Sequence, residues 1–110
     1  MKTASKKAKG RRLQNYVAKA VKDKWDIPEQ DVRPAIMGEN GADLKLSSEA
    51  QTLFPFAVEC KNTERLNIWA AIKQAEQNAR GLSPLVVFKR NHSKTYAVIE
   101  FDTFMELLDG

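Results

Sequence analysis

Apolar residues recur along the first half of the chain with two different spacings, which predict one helix followed by strands. Between residues 11 and 25 they return every three or four positions, the spacing of one face of a helix. Residues 26–42 are rich in Pro and Gly and predict loops, with a short edge strand at 32–37. Strict alternation of apolar and polar residues over 43–47 predicts a half-buried strand.

The second half continues the alternation of strands and helices. Its predicted elements are a strand at 54–61, a helix at 64–80, strands at 84–88 and 95–101, and a short final helix with a capping box formed by Thr103 and Glu106. A helix between two of the strands favours a parallel pair, while short connections favour antiparallel ones. The order therefore predicts an α/β fold with a central mixed sheet of four to five strands flanked by helices.

Charge is distributed unevenly over the 110 residues. The net charge is +4, yet residues 1–12 contain six Lys and Arg residues and no acid. We expect residues 1–10 to form a disordered basic arm and residues 11–110 to form one domain. Such an arm is typical of proteins that bind a polyanion, nucleic acid first of all, although a solvated tail that keeps the protein in solution has the same composition. Its basic residues, with two that open the first helix, are Lys2, Lys6, Lys7, Lys9, Arg11 and Arg12.

Composition excludes several classes of protein. No apolar run is long enough to span a membrane, and no signal-peptide core follows the basic N-terminus. Cys60 is the only cysteine, so no internal disulfide can form, and only His92 could join it in a zinc site. We expect an intracellular setting, His92 in a solvated loop, and both Trp25 and Trp69 packed on helix faces.

The strongest chemical pattern lies at the end of the strand over 54–61. Glu59 and Lys61 are two residues apart and therefore share one face of a strand, while the Cys60 side chain points to the other face. If the preceding strand is a neighbour, Asp43 meets Glu59 at the sheet edge. Two carboxylates beside a lysine suit Mg²⁺ or Mn²⁺, with the Cys60 carbonyl as a further ligand. An exposed ion pair is the alternative interpretation.

Several segments resemble one nuclease superfamily. Gly41-Ala-Asp43 followed by Val58-Glu-Cys-Lys61 and a helix resembles the PD-(D/E)xK nucleases, although Ala42 stands where the name of the motif has proline. Residues 9–14, 54–62 and 84–91 are similar to small phage-encoded endonucleases related to the Holliday-junction-resolvase-like group. The resemblance covers nearly the whole chain and implies a restriction-endonuclease-like core, with a single nuclease domain over residues 11–110.

The resemblance also implies roles for individual residues. Asp43 and Glu59 would be metal ligands for Mg²⁺ or Mn²⁺, and Lys61 would assist the attacking water. Many members carry a further Glu on the first helix, where this chain has Gln14. The resemblance further implies DNA as the substrate, a homodimer, and the cytoplasm of a bacterial host if the protein is phage-encoded.

These observations predict a metal-dependent DNA endonuclease, with branched DNA as one candidate substrate. A non-catalytic nucleic-acid-binding module on a degenerate nuclease scaffold is the alternative, and Gln14 in place of an acid favours it. Binding of RNA or of an acidic protein surface by the basic arm is a third hypothesis. The residues expected to contact phosphate are Lys6, Lys7, Lys9, Arg11, Arg12, Lys89, Arg90 and Lys94.

Overall fold

The computed structural model describes the backbone of residues 2–109 and the side chains of residues 6–109. This part of the chain forms an α/β fold with four α-helices, five strands and one turn of 3₁₀-helix at Glu29–Asp31. In chain order the helices and strands are α1 (Lys2–Trp25), β1 (Val32–Pro34), β2 (Leu44–Leu46), α2 (Ser48–Leu53), β3 (Phe56–Asn62), α3 (Ile68–Gln77), β4 (Ser83–Lys89), β5 (Tyr96–Ile99) and α4 (Phe101–Leu107).

The five strands form two sheets, which corrects the prediction of one central sheet of four to five strands. The main sheet has the order β3-β4-β5, with β3 parallel to β4 and β4 antiparallel to β5. It is therefore mixed, as predicted. Strands β1 and β2 form a separate antiparallel pair. Although the Asp43 N–H donates to the Val58 carbonyl at 2.9 Å, β2 forms no regular ladder with β3.

Helices cover both faces of the main sheet. Alternate residues of β3 and β4 point to opposite faces, so Val58, Cys60 and Val87 share a buried cluster with residues of α1. On the opposite face, Val86 of β4 packs with Ala71 and Ala75 of α3. Helix α1 provides its apolar stripe and α3 provides small residues, which permits close approach to the sheet. The central part of β3 is consequently buried on both sides.

The N-terminal segment differs from the expected disordered arm. Helix α1 begins at Lys2, so residues 2–10 are helical and continuous with the predicted helix. Met1 lies outside the described residues. Lys, Arg and Ala are good helix formers, and a helix that is anchored by tertiary packing extends at little cost per added residue. Gly10 lowers the helix propensity of this segment without interrupting the helix.

Other differences concern residues 48–53, the final helix, α3, and the strands predicted at 32–37 and 95–101, which are shorter in the structure. Residues 48–53, predicted as a connection, form α2, because the Ser47 side chain accepts a hydrogen bond from the Ala50 N–H as its N-cap. The predicted capping box is wrong: α4 begins at Phe101, and Thr103 lies inside it. Helix α3 is shorter than predicted at both ends. Within residues 2–109, no helix combines the length and the apolar character that crossing a membrane requires.

Candidate metal centre and nucleic-acid interface

Asp43 lies just before β2 and is held against β3 by two hydrogen bonds. Its backbone N–H donates to the Val58 carbonyl, and its Oδ2 accepts from the Cys60 N–H at 2.7 Å. In an extended strand, residues i and i+2 direct their backbone polar groups to the same edge. The Val58 carbonyl and the Cys60 N–H can therefore both form hydrogen bonds with Asp43. The side chain of Asp43 is thereby fixed beside β3, although β2 and β3 form no regular ladder.

Glu59 occupies the face of β3 that α3 covers. It is paired in register with Val86, which belongs to the cluster under α3, and its side chain is almost fully buried. Its Oε2 lies 3.7 Å from the Lys61 Nζ. Its Oε1 is buried and has no hydrogen-bond partner. A buried, unpaired carboxylate oxygen is costly, so this atom is the strongest single indication of a site.

The electrostatics of the two carboxylates are coupled. Burial, and after it the negative charge of Asp43, raise the pKa of Glu59, and Lys61 and the side chain of Asn78 lower it, so that the net pKa is about 7. Burial also raises the pKa of Asp43, against the opposing effect of its hydrogen bond from the Cys60 N–H. The influence of Asp43 on Glu59 shows that the two carboxylates are near enough to interact electrostatically. Near neutral pH the pair therefore holds a proton readily in the absence of a counter-ion.

The residues present fit a small divalent cation. The unpartnered Oε1 of Glu59 and the free oxygen of Asp43 are hard, anionic donors, and Mg²⁺ takes one or two carboxylates and keeps several waters. A cation would also relieve the repulsion that raises the pKa of Glu59. Over the described residues, no group of three or more His, Cys, Asp and Glu residues could hold a metal ion. The candidate centre thus has two acidic side chains and depends on the backbone and water for its remaining ligands.

Cys60 contributes backbone groups to this edge and its side chain to the core. Because the Cys60 N–H points to Asp43, its carbonyl points to the same edge of β3, where it is available as a ligand. Its thiol is buried in the cluster with α1. Burial raises the pKa of the thiol, so it remains protonated and is not a metal ligand.

Gln14 is not joined to the two carboxylates. It lies on α1, next to the buried Leu13, and is partly buried. Helix α1 packs on the face of the sheet opposite to the one that Glu59 and Lys61 occupy. Within the described part of the chain, Gln14 makes no side-chain hydrogen bond to Asp43 or to Glu59. The structure thus provides no contact for the proposed fourth member of the centre.

A basic groove of about 700 Å³ begins at the residue after Lys61. Asn62, at the end of β3, lines it, and the Asn62 Nδ2 donates to the Lys9 carbonyl on α1 at 3.4 Å. The predicted phosphate-contacting residues on its walls are Lys9, Arg12, Lys89 and Lys94. These four come from α1, from the end of β4 and from the following loop, which are far apart in sequence. We refer to this feature as the basic groove.

The other four predicted phosphate contacts lie outside the walls of the basic groove. Lys6, Lys7 and Arg11 are exposed on α1, and Arg90 lines a smaller hollow beside Glu64 and Tyr96. His92 is exposed in its loop, as expected, and also lines the basic groove.

Sequence reasoning missed three residues at these sites. Tyr16 and Asn62 line the basic groove, and Asn78, at the C-cap of α3, lies close enough to Glu59 to lower its pKa. The spacing of Tyr16 from Leu13 is that of one helix face and predicts a buried position on α1, but the Tyr16 side chain is 61% exposed. No sequence signal marks Asn78, because its position beside Glu59 depends on how the end of α3 packs on β3.

No protein-family model, curated protein or solved structure matches this chain.

Proposed function

We propose that this protein is a metal-dependent DNA endonuclease that hydrolyses phosphodiester bonds. The observation that carries the proposal is the buried, unpartnered Oε1 of Glu59 beside Asp43 and Lys61. A core that retains such a carboxylate loses stability unless the group binds something, and a divalent cation is the partner that its charge and hardness favour. The restriction-endonuclease-like fold, the phage origin and the intracellular location remain part of this proposal.

Asp43 and Glu59 would hold the Mg²⁺ or Mn²⁺ ion, with the Cys60 carbonyl as a neutral ligand. When bound, such an ion polarises a phosphoryl oxygen and lowers the pKa of water. Lys61 is half-buried beside Glu59, so its ammonium can orient a water and stabilise negative charge that develops on the phosphate. Asn78 would hold the Glu59 carboxylate in position from the end of α3.

DNA would bind along the basic groove. Its four cationic side chains lie next to the end of β3, where Lys61 is followed by Asn62. Cationic side chains bind phosphates without regard to base sequence, so the groove would hold the DNA backbone at the end of β3 that carries Lys61. The preference for a junction, a flap or a sequence is set by contacts that a cleavage map would identify.

The central test compares Asp43→Asn and Glu59→Gln with the unchanged protein. Each substitution removes a charge and preserves side-chain volume, so we expect the fold and DNA binding to persist. Cleavage of labelled single strands, plasmid and four-way junctions in Mn²⁺ should fall by roughly 100-fold or more, the scale of losing a charge-stabilising group. Isothermal calorimetry should show that both variants lose Mn²⁺ binding.

The matched control is Glu49→Gln, which removes an exposed carboxylate from α2 and should change neither cleavage nor Mn²⁺ binding. If no DNA is cut in either metal, the enzymatic proposal is wrong. Mn²⁺ binding that survives both Asp43→Asn and Glu59→Gln would disprove the metal centre itself.

A nucleic-acid-binding module without catalytic activity is the second candidate. The observation that favours it is that only two acidic side chains converge in the described residues, with neutral Gln14 on the other side of the sheet. Calorimetry separates the two functions, because a binding module would bind DNA through the basic groove without binding Mn²⁺ through Asp43 and Glu59.

A further inference from the structure

The basic groove contains an aromatic ring among its cations. Tyr16 of α1 lines the groove together with Lys9 and Arg12, which lie seven and four residues before it. Residues at these spacings share one face of a helix, so the three side chains form a single row along the groove. Lys89 and Lys94 line the same groove from β4 and from the loop that follows it. Among the described residues that line the groove, none is acidic.

The Tyr16 ring is available to a ligand. It is 61% exposed, although Leu13 and Val17 on either side of it are buried. Within the described part of the chain, it stacks with no other aromatic ring. A tyrosine hydroxyl tolerates water, so exposure alone would indicate no particular ligand. An unpaired ring in a row of cations, however, is the combination by which proteins bind nucleic-acid strands whose bases are accessible.

Asn62 gives the groove a hydrogen-bond acceptor that the chain does not satisfy. Its Nδ2 donates to the Lys9 carbonyl, whereas its Oδ1 is buried and has no hydrogen-bond partner among the described residues. A buried acceptor of this kind costs free energy unless a donor reaches it. Nucleobases carry N–H donors on their Watson–Crick edges, and these donors are free only in an unpaired base. This observation is independent of the charge of the groove and favours the same class of ligand.

The aromatic ring distinguishes a single strand from a duplex. In a duplex each base is stacked on its neighbours and shows only its edges in the grooves. The face of a base is accessible to a side chain such as Tyr16 only when that base is unstacked. We therefore infer that the basic groove binds an unpaired, single-stranded segment of DNA, with one base stacked on Tyr16 and the neighbouring phosphates held by Lys9 and Arg12. This inference deepens the proposed function and rests on it only for the choice of DNA.

The position of the groove determines which DNA structures it would favour. The groove begins at the residue after Lys61, so the unpaired segment would lie at the end of β3 that carries this lysine. Flaps, gaps and open junctions all present unpaired nucleotides. We expect such structures to bind more tightly than continuous duplex of the same length.

Fluorescence anisotropy on the full chain tests the inference. The probes are a labelled oligothymidylate of about twelve nucleotides, within the range of known single-strand sites, and a duplex of the same length. Both are measured in a chelator and at one fixed salt concentration, because phosphate contacts depend on salt. The single strand should bind more tightly than the duplex. Tyr16→Ala should weaken single-strand binding by about tenfold, the scale of losing one base–aromatic stack, and leave duplex binding unchanged.

Two further variants separate stacking from a structural role of Tyr16. Tyr16→Phe keeps the ring and should keep the affinity for the single strand. Tyr96→Ala is the matched control, since Tyr96 is 55% exposed but lies on β5, outside the basic groove, and its removal should change neither affinity. Circular dichroism should be the same for all variants. Irradiation of a bound strand that contains 5-iododeoxyuridine should join the strand to Tyr16, which mass spectrometry of the peptides would identify.

Several results would overturn the inference. These are equal affinity for the single strand and the duplex, single-strand binding that Tyr16→Ala leaves intact, and cross-links confined to residues outside the groove. An oligouridylate RNA that binds more tightly than the DNA strand would overturn it as well. Nuclease activity is tested separately, because binding is measured without metal. A protein that binds the single strand through Tyr16 but cuts no DNA would uphold this inference and disprove the nuclease.

Discussion

Glu59 is the residue on which the proposed chemistry depends, and its environment is unfavourable for a charge. It is 2% exposed, its Oε1 has no hydrogen-bond partner, and Asp43 adds a second negative charge nearby. Lys61, at 3.7 Å, compensates only in part. Desolvation therefore dominates, and the pKa of Glu59 rises to about 7. Binding of a cation would stabilise the ionised carboxylate and would therefore raise the free energy of unfolding.

The pH dependence of stability follows from this shift. The carboxyl of Glu59 binds its proton more tightly in the folded than in the unfolded chain, so the free energy of unfolding of the metal-free protein should fall as pH rises from about 4.5 to about 7. The fall should amount to roughly 3 kcal/mol, and Asp43, whose pKa is also raised, acts in the same direction. Urea denaturation in a chelator at several pH values measures it.

Glu59→Gln should remove most of this fall, because glutamine does not titrate, while Glu49→Gln should retain it. An equal fall in Glu59→Gln would show that other groups cause the pH dependence.

At the scale of elements, the hairpin of β1 and β2 positions Asp43. Arg33 forms two hydrogen bonds of 2.9 Å with the Glu39 carboxylate, which also accepts a bond from the Ile36 N–H. These contacts fix the loop between the strands. Gly41, two residues before Asp43, has φ 94°, a backbone conformation that residues with a side chain rarely adopt.

Gly41→Ala should strain this loop where it enters the metal centre. We expect a loss of roughly 1 kcal/mol in the free energy of unfolding, together with weaker Mn²⁺ binding, because a shift of the backbone at residue 41 moves Asp43. Gly38→Ala is the matched control, since Gly38 has φ 85° but lies further from Asp43. It should cost similar stability and leave Mn²⁺ affinity unchanged. Equal effects on Mn²⁺ affinity would contradict the positioning role of the loop.

The N-terminal part of α1 gives a second test at this scale. A Cβ at Gly10 would meet no atom within 4 Å, and alanine favours a helix interior over glycine. Gly10→Ala should therefore raise the free energy of unfolding by roughly 0.5–1 kcal/mol and slow amide exchange over residues 5–10. No change in either quantity would indicate that this segment is unfolded in solution, as its composition alone suggested.

At the scale of the whole molecule, tertiary structure brings α1 and the loop after β4 to the same end of β3. The basic groove forms there, and Asn62 links it to α1 through its bond to the Lys9 carbonyl. The acidic helix α4 lies elsewhere, beside an apolar groove that Trp69 and Ile72 line. Opposite charges are thus segregated, with cations along the basic groove and acids on α4.

Salt dependence of DNA binding tests the basic groove. Lys89→Ala and Lys94→Ala should each weaken binding equally for all sequences, and each should reduce the slope of log K against log salt by about 0.9 if one phosphate contact is lost. Lys19→Ala is the matched control: it removes the same charge from an exposed residue of α1 that pairs with Asp23. Fluorescence anisotropy at several salt concentrations measures the slopes. Equal slopes for all three variants would mean that net charge, not the basic groove, drives binding.

The sequence by itself determined most of the elements, though not α2 or the N-terminal part of α1, and it identified the two carboxylates. The spacing of apolar residues predicted α1, α3 and the five strands, because an element that buries one face repeats its apolar residues with the period of a helix or of a strand. The two-residue spacing of Glu59 and Lys61 placed them on one face of β3, and Asp43 was expected beside them from the neighbouring strand. Each of these inferences is local. In the structure Glu59 and Lys61 lie on β3 and Asp43 is hydrogen-bonded to it, as expected.

Only the tertiary structure decided what lies on each side of those elements. It placed α1, with Gln14, on the face opposite Glu59, and it brought Asn78 to Glu59 from the end of α3. It also left Trp69 and the apolar stripe of α4 exposed, although their sequence pattern is that of buried positions. An apolar period shows which residues of an element share a face. Whether that face meets the same chain depends on packing between distant segments, which no local pattern contains.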